Sequence, residues 1–392
     1  MAIPPANGDP TPGARQWRRL PPALWAAILA LALLAPVLAA PANAVAARPS
    51  PSAPECGTGS DAEFLGFSDA LDKTTFADTA VGGLSALTYD RRRDVYYSLV
   101  DNQGTTAARL YTLRLPLDSD GLGAPTVLDV TTLRDAAGQP YTGATFDGEG
   151  LVLTPQGDLL ISSETEPSIR RFAPDGRLLE ELPVPQRFRF PAAGGGARGN
   201  LTFESLALSP NGRSLFTATE GYLIPDDTTA ADGQRIRILR YEDRGPGGFV
   251  PGEEYFYLTD PNLGVVEVVA LSERELLVLE RGFAAGQGNT VRAYRVSLDG
   301  AADVSGAPSL ATAGVAPLAK ELLFDLADCP PSGATNPGMQ VNPLLDNFES
   351  LALGPHLPGG RRALLLQSDD NFNAAQVTRV IALALPAREL NP

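Results

Sequence analysis

The segment D-N-F-E-S-L-A-L, from Asp346 to Leu353, occurs in nearly the same form as L-T-F-E-S-L-A-L from Leu201 to Leu208. A buried, unpaired carboxylate at the start of an apolar strand is energetically costly. Its recurrence therefore indicates a structural repeat with a repeated use for the carboxylate. Three further segments share the pattern, the first of them with serine at the glutamate position: G-G-L-S-A-L-T-Y from Gly82, F-D-G-E-G-L-V-L from Phe146 and G-V-V-E-V-V-A-L from Gly264.

Each repeat continues with a turn and three further short apolar runs, except the last, which ends after its third run. Four antiparallel strands that recur at spacings of roughly 55 to 80 residues are typical of the blades of a β-propeller. The sequence thus predicts an all-β propeller of five four-stranded antiparallel blades, and the interval between Glu267 and Glu349 leaves room for a degenerate sixth. The missing strand of the last blade is predicted at E-F-L-G-F-S-D-A-L from Glu63, which would close the ring and remove an open sheet edge.

The N-terminal 44 residues are predicted to be an export signal. Arg15, Arg18 and Arg19 precede an apolar run that ends at the small-residue site Ala42-Asn43-Ala44, a pattern typical of cleavage. A retained membrane anchor and a twin-arginine signal are the alternatives. Residues 45–60 read as a Pro/Ala/Ser-rich spacer, and residues 61–388 as the propeller domain of a secreted or cell-envelope protein without a membrane span after cleavage.

Net charge and cysteine content restrict the function further. The chain carries a net charge of −15, and removal of the signal, whose three arginines and Asp9 sum to +2, leaves −17. Such a surface argues against nucleic acid as a partner, and against an anionic substrate unless a bound cation reverses the local field. Cys56 and Cys329 are the two cysteines, and in an oxidising compartment we expect a disulfide between them, two free thiols being the alternative.

The repeated carboxylates are predicted to converge on one end of the central channel. In a hairpin, the start of the first strand and the end of the second lie together, and the first strand of each propeller blade lines the channel. Hard oxygen ligands without nearby Cys or His favour Ca²⁺. The alternative is that each glutamate ties blades together by bonding backbone N–H groups. The predicted metal ligands are Asp101, Glu149, Glu164, Glu204, Glu220, Glu267, Glu280, Glu349 and Asp369, with neutral oxygens from Asn102, Asn347 and Asn371.

The chain resembles the phytase-like domain family, which is named for the esterase-like activity of phytase. The similarity lies in V-G-G-L-S-A-L-T-Y-D from Val81, Y-Y-S-L-V-D-N from Tyr96, A-R-L-Y-T-L from Ala108, D-G-E-G from Asp147 and the two F-E-S-L-A-L segments. The resemblance implies a Ca²⁺-dependent phosphoesterase whose metal-activated water attacks a phosphorylated small molecule. It implies Glu204 and Glu349 as catalytic residues, and Glu220 and Asp369 as further ligands or bases. Arg281 is the candidate substrate clamp, an ion pair with Glu280 or a neighbour being the alternative.

Other chemistries have weaker support in the sequence. His356, the single histidine, lies in a turn predicted at the end of the blade opposite the carboxylates, and there is no G-x-S-x-G motif. These features disfavour a serine hydrolase triad and favour a solvent-exposed turn histidine. A second function class remains open, namely a non-catalytic propeller that calcium stabilises and whose rim binds a ligand or a cell-envelope partner. In either class the protein is expected to be a monomer.

Overall fold

The computed structural model describes residues 55–57, 62–102, 104–118, 121–227, 232–245 and 248–386. These residues form a five-bladed β-propeller, so the predicted fold class is confirmed. The predicted signal peptide and most of the predicted spacer lie outside the described residues. Within the described part of the chain, the helices are single 3-10 turns, and none is long and apolar enough to cross a membrane.

Every blade is a four-stranded antiparallel sheet in which consecutive strands pair, starting from the channel. Blade I contains Leu84–Asp90, Val95–Val100, Arg109–Arg114 and Thr126–Thr132. Blade II contains Gly148–Leu153, Leu159–Ser163, Ser168–Phe172 and Leu178–Glu181. Blade III contains Ala207–Leu208, Ser214–Ala218, Arg235–Asp243 and Phe249–Leu258. Blade IV contains Gly264–Ala270, Glu275–Ala284, Gly288–Ser297 and Lys320–Asp325.

Blade V closes the ring with a strand from the other end of the chain. Its strands Phe348–Leu357, Arg361–Ser368 and Val380–Pro386 are followed at the outer edge by Glu63–Ser68. This N-terminal strand pairs antiparallel with Val380–Pro386, in the register Phe64 to Leu383 and Ser68 to Val380. The predicted strand exchange is thus confirmed. With this strand as the fourth, blade V is a complete sheet and the ring is closed.

Two clamps hold the closing strand. The predicted disulfide between Cys56 and Cys329 is present and lies in the buried cluster between blades IV and V. The buried Arg379 guanidinium donates to both carboxylate oxygens of Asp69, at 2.7 and 2.8 Å, and to three backbone carbonyls of the 335–344 segment. Blade closure therefore combines backbone pairing, a covalent bond and a buried ion pair.

The hydrophobic core is divided among the blade interfaces. Alternating apolar residues on the two faces of each sheet pack against the neighbouring sheets, and the five larger clusters of described residues each join two adjacent blades. The first strands contact each other in order around the axis, and that of blade V contacts that of blade I. Apolar packing thus fixes five blades around one channel.

The interval with room for a sixth blade contains connections instead. The segment between Ser297 and Lys320 leaves blade IV and lies along the outer strand of blade III, where the N–H of Val304 donates to Glu254 O and that of Leu318 donates to Phe256 O, both at 2.8 Å. Residues 326–347 form a second connection, which Arg379 fixes. The described chain has no sixth sheet there, because these segments satisfy their hydrogen bonds on existing blades.

Candidate functional site

The first strand of every blade is irregular at or beside the position of the repeated glutamate. The pairing register shifts at Ser85, Glu149 and Glu349, and in blade III the strand is interrupted after the bridge that precedes Glu204. In blade IV the residue left out of the pairing is Val266, whereas Glu267 pairs with Leu279. A bulge leaves one residue out of the ladder and re-aims its side chain. In blades I, II, III and V the motif position is therefore the point at which the blade can direct a side chain toward the channel axis, whereas in blade IV the bulge falls one residue before Glu267.

The residues that follow the glutamate compensate for the interrupted ladder. Ser205 Oγ accepts a hydrogen bond of 3.1 Å from the N–H of Ala218, and Ser350 Oγ donates to the carbonyl of Gln367 at 3.2 Å. In blade II the position belongs to Gly150, where a Cβ atom would lie 2.5 Å from the backbone nitrogen of Leu206. Serine or glycine after the glutamate is thus explained by local bonding or by close contact between blades.

The bulged glutamates and the ends of the second strands enclose one cavity at the channel mouth, with a volume of about 280 Å³. We call it the acidic cavity. Seven of its lining residues are carboxylic acids and one is an arginine, so acidic groups greatly outnumber basic ones. The lining residues are Asp101, Asp147, Glu149, Glu164, Asn200, Glu204, Glu220, Arg281, Asn347, Glu349 and Asn371.

Glu149 lies at the centre of the carboxylate arrangement. One group of oxygens, from Asp101, Asp147 and Glu149, and a second, from Glu149, Glu164 and Glu204, each lie within 4.8 Å of one another. Ser85 takes the glutamate position in blade I, and its Oγ donates to Glu149 Oε2 at 2.9 Å. Blade I thus contributes a neutral donor instead of a carboxylate. Glu149 therefore belongs to two sets of oxygen ligands, each compact enough to hold one metal ion.

Two oxygen atoms of the site have no hydrogen-bond partner although they are buried. They are Glu204 Oε2, on a side chain of which 7% is exposed, and Asp101 Oδ1. A buried acceptor without a donor is unfavourable by about 1–3 kcal/mol, and by more if it is charged. Because these atoms face other carboxylates across a polar cavity, the residues present fit one or two hard divalent cations.

Without a cation, burial raises the pKa values of several carboxylates in the cavity. Burial raises the pKa of Asp101 to about 10, with further contributions from a hydrogen bond to Asp147 and from nearby carboxylates. Burial raises the pKa of Glu164 to about 7, while the N–H of Thr202, 2.7 Å from its Oε1, opposes the shift. The pKa of Glu204 rises through burial and repulsion from the surrounding glutamates. A bound cation would displace protons from these groups.

Arg281 joins two carboxylates of the cavity. Its Nη2 donates to Glu349 Oε1 at 2.9 Å and to Glu220 Oε1 at 3.2 Å, whereas its Nε is buried without a partner. Asn347 Nδ2 donates to Glu349 Oε1 at 3.0 Å. The guanidinium thus keeps one donor unused beside the carboxylates, which suits an anionic group bound there.

Two of the predicted ligands lie in other environments. Glu280 Oε1 accepts from Tyr257 Oη at 2.5 Å and from Lys320 Nζ at 2.6 Å, while its Oε2 accepts from the N–H of Asp260. The Glu267 carboxylate accepts from its own blade, through the N–H of Val268 at 2.9 Å, and from the N–H of Leu206 in blade III. Neither residue lines the acidic cavity, and Glu267 joins blades as the structural alternative anticipated.

The remaining predicted residues, Asp369 and three asparagines, lie at or beside the acidic cavity. Asp369 is buried behind Glu349, to which it is hydrogen-bonded, and it accepts from the N–H of Asn371 at 2.6 Å. Asn102 is occupied by Arg109 and by the carbonyl of Thr106. Asn347 and Asn371 line the cavity as expected.

Sequence reasoning did not assign two lining residues, Asp147 and Asn200. The signal for Asp147 was present, since it opens the D-G-E-G segment two residues before Glu149. Asn200 lies in a connection with a φ of 56°, the left-handed region that Asn tolerates, and nothing in the repeat marks it.

The fold and the cavity define the class, a five-bladed propeller with a carboxylate-lined channel mouth that can hold metal ions. The chain belongs to the Phytase-like family, described as esterase-like activity of phytase, whose model matches residues 79–372. No curated protein matches the chain significantly.

Three solved structures show distant similarity to the chain. The periplasmic gluconolactonase of Pseudomonas aeruginosa has 15% identity and a TM-score of 0.32, with coverage of 80% of this chain and 88% of that one. The PQQ-bound aldose sugar dehydrogenase of Streptomyces coelicolor has 16% identity and a TM-score of 0.33, with coverage of 77% and 79%. Hydrazine synthase of Kuenenia stuttgartiensis has 10% identity and a TM-score of 0.35, with coverage of 81% and 71%. Similarities of this size support no inference about function.

Proposed function

We propose that the protein is an exported, Ca²⁺-dependent phosphoesterase that hydrolyses a phosphorylated small molecule in the acidic cavity. The observation that carries this proposal is a pair of three-residue acidic clusters, both of which contain Glu149. They lie in the same cavity as Arg281, whose Nε has no partner. Family membership adds the esterase-like description. The disulfide fits an oxidising compartment, and hence export.

Calcium is the ion that the donor set favours. All candidate ligands are carboxylate or amide oxygens, and the bulged strands and connections can supply the six to eight ligands that Ca²⁺ takes. Bound there, Ca²⁺ would offset the charge of the substrate phosphoryl group and lower the pKa of a coordinated water. Asp101, Asp147, Glu149, Glu164 and Glu204 would hold it.

The side chains of this chain supply the remaining functions. Arg281 Nε donates to a phosphoryl oxygen, and Glu349 and Glu220 hold the guanidinium in place. Glu204 accepts a proton from the attacking water, because its Oε2 is buried and has no donor. The water oxygen forms a bond to phosphorus and the bond from phosphorus to the alcohol oxygen breaks. The leaving alcohol oxygen takes a proton from solvent, and Glu204 afterwards returns its proton to solvent. The products are the alcohol and inorganic phosphate.

The test is hydrolysis of 4-nitrophenyl phosphate and 4-nitrophenyl acetate by the full chain after chelation, with Ca²⁺, Mg²⁺ or Zn²⁺ added back. We expect Ca²⁺ to restore phosphate release, and Glu204→Gln to reduce kcat by roughly 10²-fold or more, the range of general-base contributions. Glu267→Gln, which changes a buried glutamate outside the cavity, is the matched control. Calcium binding without hydrolysis of either ester would contradict the proposal and support the alternative, a calcium-stabilised binding propeller.

A further inference from the structure

Blade IV carries an exposed apolar side chain two residues beyond Arg281, which lines the acidic cavity. The second and third strands of this blade continue past the cavity as a regular hairpin, in which Phe283 pairs with Asn289 and Ala284 with Gly288. Phe283 is 67% exposed. An exposed phenylalanine at the tip of an ordered hairpin has no packing role within the blade.

Strand geometry places Phe283 on the same face as Arg281. Side chains at i and i+2 of a strand point to the same side, one repeat of about 7 Å apart. Along this strand Leu277 and Leu279 pack toward blade V, while Leu276 and Val278 pack toward blade III. Arg281 continues the first face and reaches Glu349 of blade V. The Phe283 ring is therefore the next side chain outward from the guanidinium.

A neighbouring segment adds two more exposed apolar side chains. Met339 is 69% and Val341 is 68% exposed. Their segment packs against the hairpin tip, because Gln340 Oε1 accepts from the N–H of Asn289 at 2.7 Å and a Cβ atom on Gly288 would lie 2.4 Å from the Met339 carbonyl oxygen. We call Phe283, Met339 and Val341 the apolar lip.

The charge of the cavity restricts what can lie across this lip. Seven carboxylates and a single arginine line the cavity, and this arginine already contacts two of the carboxylates. One phosphoryl group can be matched by bound cations and the free Nε. Several phosphoryl groups on one molecule would meet carboxylates without further positive side chains in the lining.

We propose that the apolar lip binds the alcohol portion of the substrate, and that the substrate is a monophosphate ester of an aromatic or similarly apolar alcohol rather than a polyphosphate. This inference rests on the proposed function, since it places the phosphoryl group beside Arg281. The Phe283 ring then covers one face of the alcohol portion. Burial of an aromatic face contributes enough to change affinity by about tenfold.

The first test measures binding without turnover. The affinities of 1-naphthylphosphonate and methylphosphonate for the Ca²⁺-loaded full chain are determined by calorimetry in the wild type, in Phe283→Ser and in Leu322→Ser. Leu322 is 52% exposed on the outer strand of the same blade and serves as the matched control. We expect the naphthyl compound to bind about tenfold more tightly than the methyl compound, and Phe283→Ser alone to remove this preference. Equal affinities in the wild type, or equal losses for both compounds in Phe283→Ser, would overturn the proposal.

The second test separates this inference from the proposed function. Rates are compared for 1-naphthyl phosphate, glycerol phosphate and inositol hexakisphosphate. We expect the naphthyl ester to have the highest kcat/KM, and Phe283→Ser to raise its KM with kcat retained. Selective binding without turnover of any ester would overturn the proposed function and support the lip. Preferential hydrolysis of inositol hexakisphosphate would support the function and overturn the lip.

Discussion

Arg281 of blade IV donates to Glu349 of blade V across 2.9 Å, and this contact joins two motif-bearing regions that are distant in sequence. The same nitrogen also contacts Glu220, at the end of the second strand of blade III. One guanidinium therefore links three blades at the mouth of the channel. Positioning of the cavity and cohesion of the ring depend on the same side chain.

Replacement of Arg281 by glutamine should destabilise the metal-free protein in a pH-dependent way. Removal of one partner from a buried ion pair leaves uncompensated charge and lowers the free energy of unfolding by about 3–5 kcal/mol. At pH 8 we expect a loss in that range, and at pH 5 a smaller loss, because Glu220 and Glu349 can then bind protons. Urea unfolding at both pH values measures the difference. An equal loss at the two values would mean that charge compensation is not the role of Arg281.

In the presence of a chelator, the wild type should lose stability as the pH rises from 5 to 8. The pKa of Glu164 is raised from 4.5 to about 7 in the folded state, so the native protein binds more protons than the unfolded chain between these values. Stability is therefore highest below the unfolded pKa and decreases as the pH rises through the folded pKa, by on the order of 2–3 kcal/mol from this residue. Saturating Ca²⁺ should remove most of this dependence. A chelated protein whose unfolding midpoint is constant over this range would contradict the prediction.

The Cys56–Cys329 bond should stabilise ring closure without affecting metal binding. The two cysteines are 273 residues apart in sequence, and their bond fixes the segment before the closing strand. Double replacement by serine is expected to lower the free energy of unfolding by about 2–5 kcal/mol. Guanidinium unfolding tests the loss, and a Ca²⁺ titration of the same variant should give an unchanged stabilisation. A weakened calcium response would show that the disulfide also shapes the cavity.

Arg379 should be essential for stability although it does not line the acidic cavity. Arg379→Met leaves Asp69 and the carbonyls of Thr335, Pro343 and Leu344 without their donor, so we expect a loss of about 3–5 kcal/mol. Arg274→Met, which breaks an exposed ion pair with Asp299, is the control and should stay within about 0.5 kcal/mol. Similar effects of the two variants in urea unfolding would refute the clamp.

The sequence repeat predicts those contacts of the blades and the cavity that form within a single hairpin. Glu149 with Glu164, and Glu204 with Glu220, meet because the start of one strand and the end of the next lie together, and this follows from sequence order. Glu280 satisfies the same rule, yet its carboxylate binds Lys320 from the outer strand of its own blade and Tyr257 from blade III. Lateral contacts of this kind depend on which blades are neighbours.

The sixth blade illustrates the same limit at a larger scale. The long interval before Glu349 leaves room for a blade but contains no sixth repeat of the strand pattern, and its backbone bonds to the edge of blade III through Val304 and Leu318. Loop length alone therefore did not determine blade number. The five interface clusters, formed only once the sheets are arranged in the ring, do.

The central claim is that the repeated glutamates hold calcium, and thermal unfolding of the chelated full chain during a Ca²⁺ titration tests it most directly. We predict that the midpoint rises with calcium concentration in the wild type and in Glu267→Gln, as expected for a ligand that binds only the folded state. The double variant Glu204→Gln, Glu349→Gln should lose the rise. An unchanged midpoint in the wild type, or the same rise in the double variant, would contradict the account.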